Sequence, residues 1–401
     1  MVYTVYTMLL NFFKKKKTIT LILDIGSASV GAALVRIEEG KPPHILLTIR
    51  ENIPLQGILS SVRFVAGANH ALTQIFKKIQ ANKKDYIIPS RIFCTLSSPW
   101  FLLKIRHARV VMDNQFEVTE ELMNSLLNEE IEHLKEELKE TLPLKDIEII
   151  EKKIIQIKLN GYQIENPYGK KTSSVDIVAT ISLSSHRALE NIRNIVNNFF
   201  HTTDFHIGVF PLTTFSAIRD MYPYRQDFIA VDIAGEATDI SLVNDDILAG
   251  TAFFSYGRNY FIREISVGQK TSQEEAETLF GMYLREEIEE RKYIQIKNII
   301  EQSRAEWIAN FRKTIASLVG DGRPGHMVFY TADTDVSSFF GNLIKEVFAE
   351  LSRQKEIEIE YIDAKAMANF VSFESGIVRD PFLAIEALFL EKISTDLSYL
   401  A

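Results

Sequence analysis

Two short acidic turns carry the chemistry available to this sequence. Leu23-Asp24-Ile25-Gly26-Ser27 ends one apolar run, and Val231-Asp232-Ile233-Ala234-Gly235-Glu236 ends another in the second half of the chain. Glycine lets a backbone bend tightly and turn its N–H groups toward an oxyanion. The hydroxyls of Ser27 and Thr238 add hydrogen bonds to a phosphate. A carboxylate beside phosphate repels it, so Asp24 and Asp232 belong in such a site only with a divalent cation between. Mg2+ keeps several of its waters and takes few carboxylates directly. One Asp-x-Gly-Ser turn is an ordinary β-turn. Two of them, each opening a strand–turn–strand segment, are an internal duplication, and face to face they would clamp a nucleoside triphosphate.

The elements around the turns follow from periodicity. Leu21 to Leu23 and Phe228 to Val231 are apolar runs, and Val30 to Ile37 and Thr238 to Leu242 resume as strands. His44 to Arg50 reads as a further strand. Helices are expected over Arg63–Gln80, after the N-cap Thr119, over Arg187–Phe200, from a capping box at Thr271-Ser272-Gln273-Glu274 through Tyr283, over Glu301–Leu318, and over Phe382–Ile393. Arg285 to Lys297 is charged and ends in an alternating, strand-like segment. The block 85–182 mixes β-rich segments with one helix and reads as an insertion.

These residues resemble the actin-like ATPase superfamily, FtsA/PilM type. Leu23-Asp24-Ile25-Gly26-Ser27-Ala28-Ser29-Val30 looks like its first phosphate loop. Val231 to Ile240 looks like the second, and Gly250-Thr251 to Gly257-Arg258-Asn259 follows as the family's hairpin does. Asn160-Gly161-Tyr162 to Asn166-Pro167-Tyr168-Gly169-Lys170 and the helix at Ala276-Glu277-Thr278-Leu279 are similar to FtsA, whereas Phe12-Phe13 and Lys14 to Lys17 resemble PilM. The resemblance implies an α/β, actin-like (ribonuclease H-like) two-lobed ATPase fold with a small inserted α+β domain. It places a tail or membrane anchor at 1–17, the first lobe at 18–84 and 183–225, an inserted SHS2-like domain at 85–182, and the second lobe at 226–401 with 268–322 as its subdomain. It implies ATP and Mg2+ as cofactors. Asp24 and Asp232 would hold Mg2+ through water, and Asp24, Gly26, Ser27, Asp232, Gly235, Thr238 and Gly257 would form the nucleotide site.

Departures from the pattern weaken that site. Ser29 and Gly31 stand where relatives carry a cation, Ala234 replaces a loop glycine, and Arg258 replaces a glycine of the hairpin. Phe280 stands where a lysine would lie near the adenosine. The strand at Met327 leads into Thr331-Ala332-Asp333-Thr334 rather than a Gly-Gly turn. The expected protein is therefore a scaffold without efficient turnover. The leading expectation is an FtsA-like adaptor of bacterial division, which binds a tubulin-like ring protein and self-associates through the inserted domain. The alternative is a PilM-like type IV pilus platform that grips the cytoplasmic tail of a membrane protein. The segment Asp380-Pro381 to Leu390, with no long linker after it, favours the latter. A sugar kinase of the same superfamily needs a catalytic base between the lobes, and none is evident.

Composition excludes other classes. The formal net charge of −8 opposes nucleic acid as the partner. One cysteine, Cys94, allows neither an internal disulfide nor a zinc site and fits a reducing, cytoplasmic setting. No apolar run reaches the roughly 20 residues of a membrane span. Residues 1–17 put their lysines after the apolar stretch, the wrong order for export. They read either as a loose tail, with Met8 as a start, or as a peripheral contact with the inner face of the cell membrane. His186, His201 and His206 lack ligand spacing, and Trp100 and Trp307 read as core or interface anchors.

Overall fold

The structure, a computed structural model, describes residues 18–81, 89–139, 146–200, 204–320, 325–351 and 357–395. The expectation of a tail or anchor at 1–17 lies outside them. Among the described residues the strands are β1 (Thr18–Ile25), β2 (Ser29–Ile37), β3 (His44–Asn52), β4 (Arg91–Leu96), β5 (Phe101–Glu117), β6 (Ile147–Leu159), β7 (Tyr162–Gln163), β8 (Lys171–Ser185), β9 (Phe205–Val209), β10 (Phe228–Ile233), β11 (Thr238–Asn244), β12 (Ile247–Phe254), β13 (Met327–Ala332), β14 (Glu358–Tyr361) and β15 (Ser372–Phe373). The helices are α1 (Ser61–Ala81), α2 (Glu120–Leu138), α3 (His186–Phe199), α4 (Phe210–Met221), α5 (Arg258–Gln269), α6 (Gln273–Leu284), α7 (Glu290–Val319), α8 (Ser337–Leu351) and α9 (Pro381–Thr395).

The duplication in the sequence is a duplication in the fold. One sheet runs β15-β3-β2-β1-β4-β9 and another β12-β11-β10-β13-β14. In each, the strand before the acidic turn pairs antiparallel with the strand after it and parallel with a strand reached by a long crossover. β10 and β13 are buried along their whole length, which is why they read as unbroken apolar runs. A core beneath both sheets joins Ile22 and Phe93 of the first to Phe228 and Phe329 of the second through Phe210 of α4 and Leu383 and Leu388 of α9. The first sheet has its own core against α1 and α3, and the second against α5 to α8. The inserted α+β domain is a four-stranded sheet, β5-β8-β6-β7, with the apolar stripe of α2 laid on it.

Two expectations change. The alternating segment Tyr293-Ile294-Gln295-Ile296-Lys297 lies inside the 30-residue α7, because Ile296, Ile300, Ser303, Trp307, Phe311 and Ile315 bury at helical spacing. The helix α6 is capped one residue later than the motif at Thr271 suggested, by Ser272 accepting from the Glu275 N–H. The helices α4 and α5 give no clear periodic signal: every residue of α4 but Arg219 and Asp220 is buried. No helix among the described residues is long and apolar enough to cross a membrane.

Trp307 is the largest wholly buried side chain and stacks on Phe311 at 4.8 Å. Trp307→Ala is expected to cost about 3–5 kcal/mol of stability. Chemical denaturation checks this as a lowered midpoint at unchanged m-value.

Candidate functional site

The register of the sheets sets the two turns in equivalent places. Asp24 sits on β1 between Gly31 of β2 and Thr95 of β4, and Asp232 sits on β10 between Asp239 of β11 and Thr331 of β13. Each turn closes on the same backbone bond, Gly26 N–H to the Ser29 carbonyl and Ala234 N–H to the Ala237 carbonyl, both 3.0 Å. The two tryptophans pin them. Trp100 Nε1 donates to the Gly26 carbonyl at 2.8 Å, and Trp307 Nε1 donates to Thr238 Oγ1 at 3.3 Å.

The turns meet face to face. A Cβ on Gly235 would lie 2.4 Å from Ala28 Cβ, and one on Gly257 would lie 2.1 Å from the Ala234 carbonyl oxygen. The Glu236 N–H donates to Ser27 Oγ at 2.9 Å, and Ser98 Oγ donates to Asp239 Oδ1 at 2.6 Å. Asp24, Gly26, Ser27, Asp232, Gly235, Thr238 and Gly257 thus gather around one junction between the two sheets.

That junction does not fit a triphosphate with its metal. Ser27 Oγ already accepts from Glu236, the Thr238 hydroxyl donates to the Tyr256 carbonyl at 2.7 Å, and Gly235 is in van der Waals contact with Ala28. Asp232 accepts from Thr331 Oγ1 at 2.7 Å. Asp24 is bound to Arg50, whose Nη2 donates to Asp24 Oδ2 at 2.8 Å, Nη1 to Ser29 Oγ at 2.9 Å and Nε to Asp380 Oδ2 at 2.6 Å. Among the described residues no group of three His, Cys, Asp or Glu is placed to hold a metal ion. Burial pushes the carboxyls of Asp24 and Asp232 above their usual range, with Arg50 opposing the shift at Asp24.

Arg50 is the functional residue that sequence reasoning missed. The absence of a cation at positions 29 and 31 is real in the sequence, yet the charge arrives from β3. Arg50 lies in register with Gly31, and Gly31 with Asp24, so the guanidinium crosses over the glycine to reach the carboxylate. A Cβ at Gly31 would come within 2.8 Å of Arg50 Nη2. The row Asp24–Gly31–Arg50 appears only once β1, β2 and β3 are set in register. Arg258 behaves similarly, facing Glu277 and Asp335 at 3.0 Å each and Asp333 at 3.7 Å. Phe280 is buried, parallel to Phe261 at 5.8 Å. His186 pairs with Glu148 and His206 with Asp204, and His201 lies outside the described residues.

A second feature lies beside the junction. A groove of about 250 Å3 runs between β5, the edge strand of the inserted sheet, and β12, the edge strand of the second large sheet. Leu102, Leu103, Ala252 and the half-exposed Phe253 give it an apolar lining, with Lys104 and Asp239 as its charged members.

No family model matches this chain, and no curated protein matches it in sequence. Among solved structures it is similar to one in a PilM-PilN type IV pilus biogenesis complex, at 13% identity and a TM-score of 0.65, covering 95% of this chain and 100% of that one. It is also similar to MreB 5 of Spiroplasma citri bound to AMPPNP, at 10% identity, a TM-score of 0.47 and coverage of 96% and 100%. A third is the ethanolamine utilization protein EutJ from Carboxydothermus hydrogenoformans, at 11% identity, a TM-score of 0.43 and coverage of 94% and 90%. The fold is that of the actin-like ATPases, two-lobed with a small inserted domain.

Burial lifts the Asp239 carboxyl from 3.8 to about 7, against the pull of its Ser98 hydrogen bond. The folded chain then binds this proton more tightly than the unfolded chain. Stability from this group is present in acid and lost as pH rises between about 4 and 7. Asp239→Asn keeps the acceptor for Ser98 and removes the titration. Across that window its stability is expected to fall less steeply than that of the parent, measured by denaturation at stepped pH. The difference reports Asp239 together with its neighbour Asp232, whose carboxyl the Asp239 charge also pushes up.

Proposed function

We propose that this chain is a PilM-like assembly platform at the cytoplasmic face of the membrane, which holds a short extended segment of a membrane-protein partner. The groove between β5 and β12 carries this reading. Edge strands offer unpaired N–H and C=O groups, and an extended peptide can add to them while its side chains fill an apolar trough. The groove borders both the inserted domain and the second large sheet, so an occupant would bridge them. The fold likeness, over nearly the whole chain, to a protein solved in complex with a partner supports the same reading. Turnover of ATP has no part in it, because the polar groups at the junction of the turns are already engaged with one another.

A second reading, the FtsA-like scaffold that joins a tubulin-like division protein and self-associates through the inserted domain, draws on Tyr162 and Tyr168. Both are exposed, on β7 and in the loop after it. Exposed aromatic rings are typical anchors between protein surfaces.

The test uses the full chain as bait in its own host, beside Ala252→Arg, which puts a long cation into the trough. The pilus reading expects a membrane protein with a short cytoplasmic segment, lost roughly tenfold or more in the variant, equivalent to about 1.4 kcal/mol. Recovery of a tubulin-like protein, or equal recovery by both baits, contradicts it.

A further inference from the structure

We infer that this protein closes its own cleft: Arg50 takes up Asp24, the carboxylate of the first turn, in place of a divalent cation, Ser27 stands where the second turn calls for a phosphate oxygen, and the lobes need no nucleotide between them. The inference is independent of the partner groove.

Charge and shape support the first substitution. Arg50 is held between Asp24 and Asp380, two carboxylates that are themselves nearly buried, and its third contact is the Ser29 hydroxyl. A guanidinium presents donors in a planar fork that suits two carboxylates and a hydroxyl at once, and it never loses its proton. Asp380 spends its other oxygen on the N–H groups of Phe382 and Leu383, capping α9. The cation therefore ties the first turn to the C-terminal helix, and Gly31 supplies the space it crosses. Arg50 thus takes one oxygen of each of these two carboxylates, and the other oxygen of Asp380 is committed to α9.

The second substitution is chemical mimicry of the simplest kind. The N–H of Glu236 points out of a turn built to receive an anion, and Ser27 Oγ from the opposite lobe receives it. Gly235 and Ala28 pack against each other beside it, leaving no room for a phosphate. Glu236 contributes a carboxylate of its own, held by Asn259 Nδ2 at 2.8 Å and by Arg263 at 2.7 Å. The same pattern recurs where an adenosine would lie. Arg258 draws together Glu277 of α6 with Asp333 and Asp335 of the segment after β13. Seating a nucleotide there would break these contacts, which join the largely buried Arg258 to three exposed carboxylates.

Thermal unfolding of the full chain, with Mg2+ alone and with Mg·ATP at matched ionic strength, tests the inference. A ligand that binds the folded form raises the melting temperature with its concentration. The parent is expected to show no shift with either. Arg50→Gln frees Asp24 and Asp380 and is expected to melt lower and to gain an upward shift with Mg2+. A concentration-dependent shift of the parent with Mg2+ or Mg·ATP overturns the inference, as does an Arg50→Gln variant that folds but ignores Mg2+. Should Arg50→Gln fail to fold, Arg258→Gln is expected to fold with a lower melting temperature, and the parent titration still decides.

Discussion

The molecule is organised around one close approach, that of Ala28 on the first acidic turn to Gly235 on the second. A single methyl group added at Gly235 would overlap Ala28, so the two sheets can meet here only if this position has no side chain. Once the turns touch, their polar groups pair with one another. Ser27 and Glu236, Ser98 and Asp239, and Arg50 with Asp24 are those pairs. The tryptophans behind each turn fix the loops from the far side. The shared core beneath, through Phe210 and Leu383, keeps both sheets in place to make the contact.

Equivalent positions in the two sheets have diverged in a way that makes chemical sense. The slots at Asp24 and Asp232 share a threonine neighbour on the parallel strand, Thr95 and Thr331. On the antiparallel strand they differ, Gly31 in one and Asp239 in the other. The glycine admits Arg50 from the next strand. The aspartate has instead Phe253 opposite it on β12, which faces the groove, and turns to Ser98 across the junction. One sheet therefore carries the internal cation and the other the wall of the candidate docking trough. The residue that borders both features is Asp239.

Much of this was legible in the sequence. The paired turns at Asp24 and Asp232 and the strand after each were visible because buried central strands and glycine turns leave strong local signals. The side chains at Arg258, Phe280 and Asp333, which break the pattern of the resemblance, are equally plain in the sequence. What stayed hidden depends on register. That Arg50, Gly31 and Asp24 lie in one row across three strands follows from how β1, β2 and β3 are aligned, including an irregularity between Leu34 and Val35. No spacing rule along a chain contains that row. The helix α4 was hidden for a different reason: buried on nearly every side, it has no polar face to mark its period. The start of α7 was lost because five residues that alternate in polarity fit a strand as well as a helix.

The most direct test of a self-closed cleft is the distance between the lobes. Cys94 is fully buried, so spin labels will attach only at introduced thiols. Val62→Cys at the start of α1 and Val267→Cys in α5 place them on exposed positions of the two lobes. Pulsed dipolar spectroscopy should find one narrow distance distribution, the same with and without Mg·ATP. A broad distribution in the nucleotide-free protein that narrows when Mg·ATP is added would contradict the account.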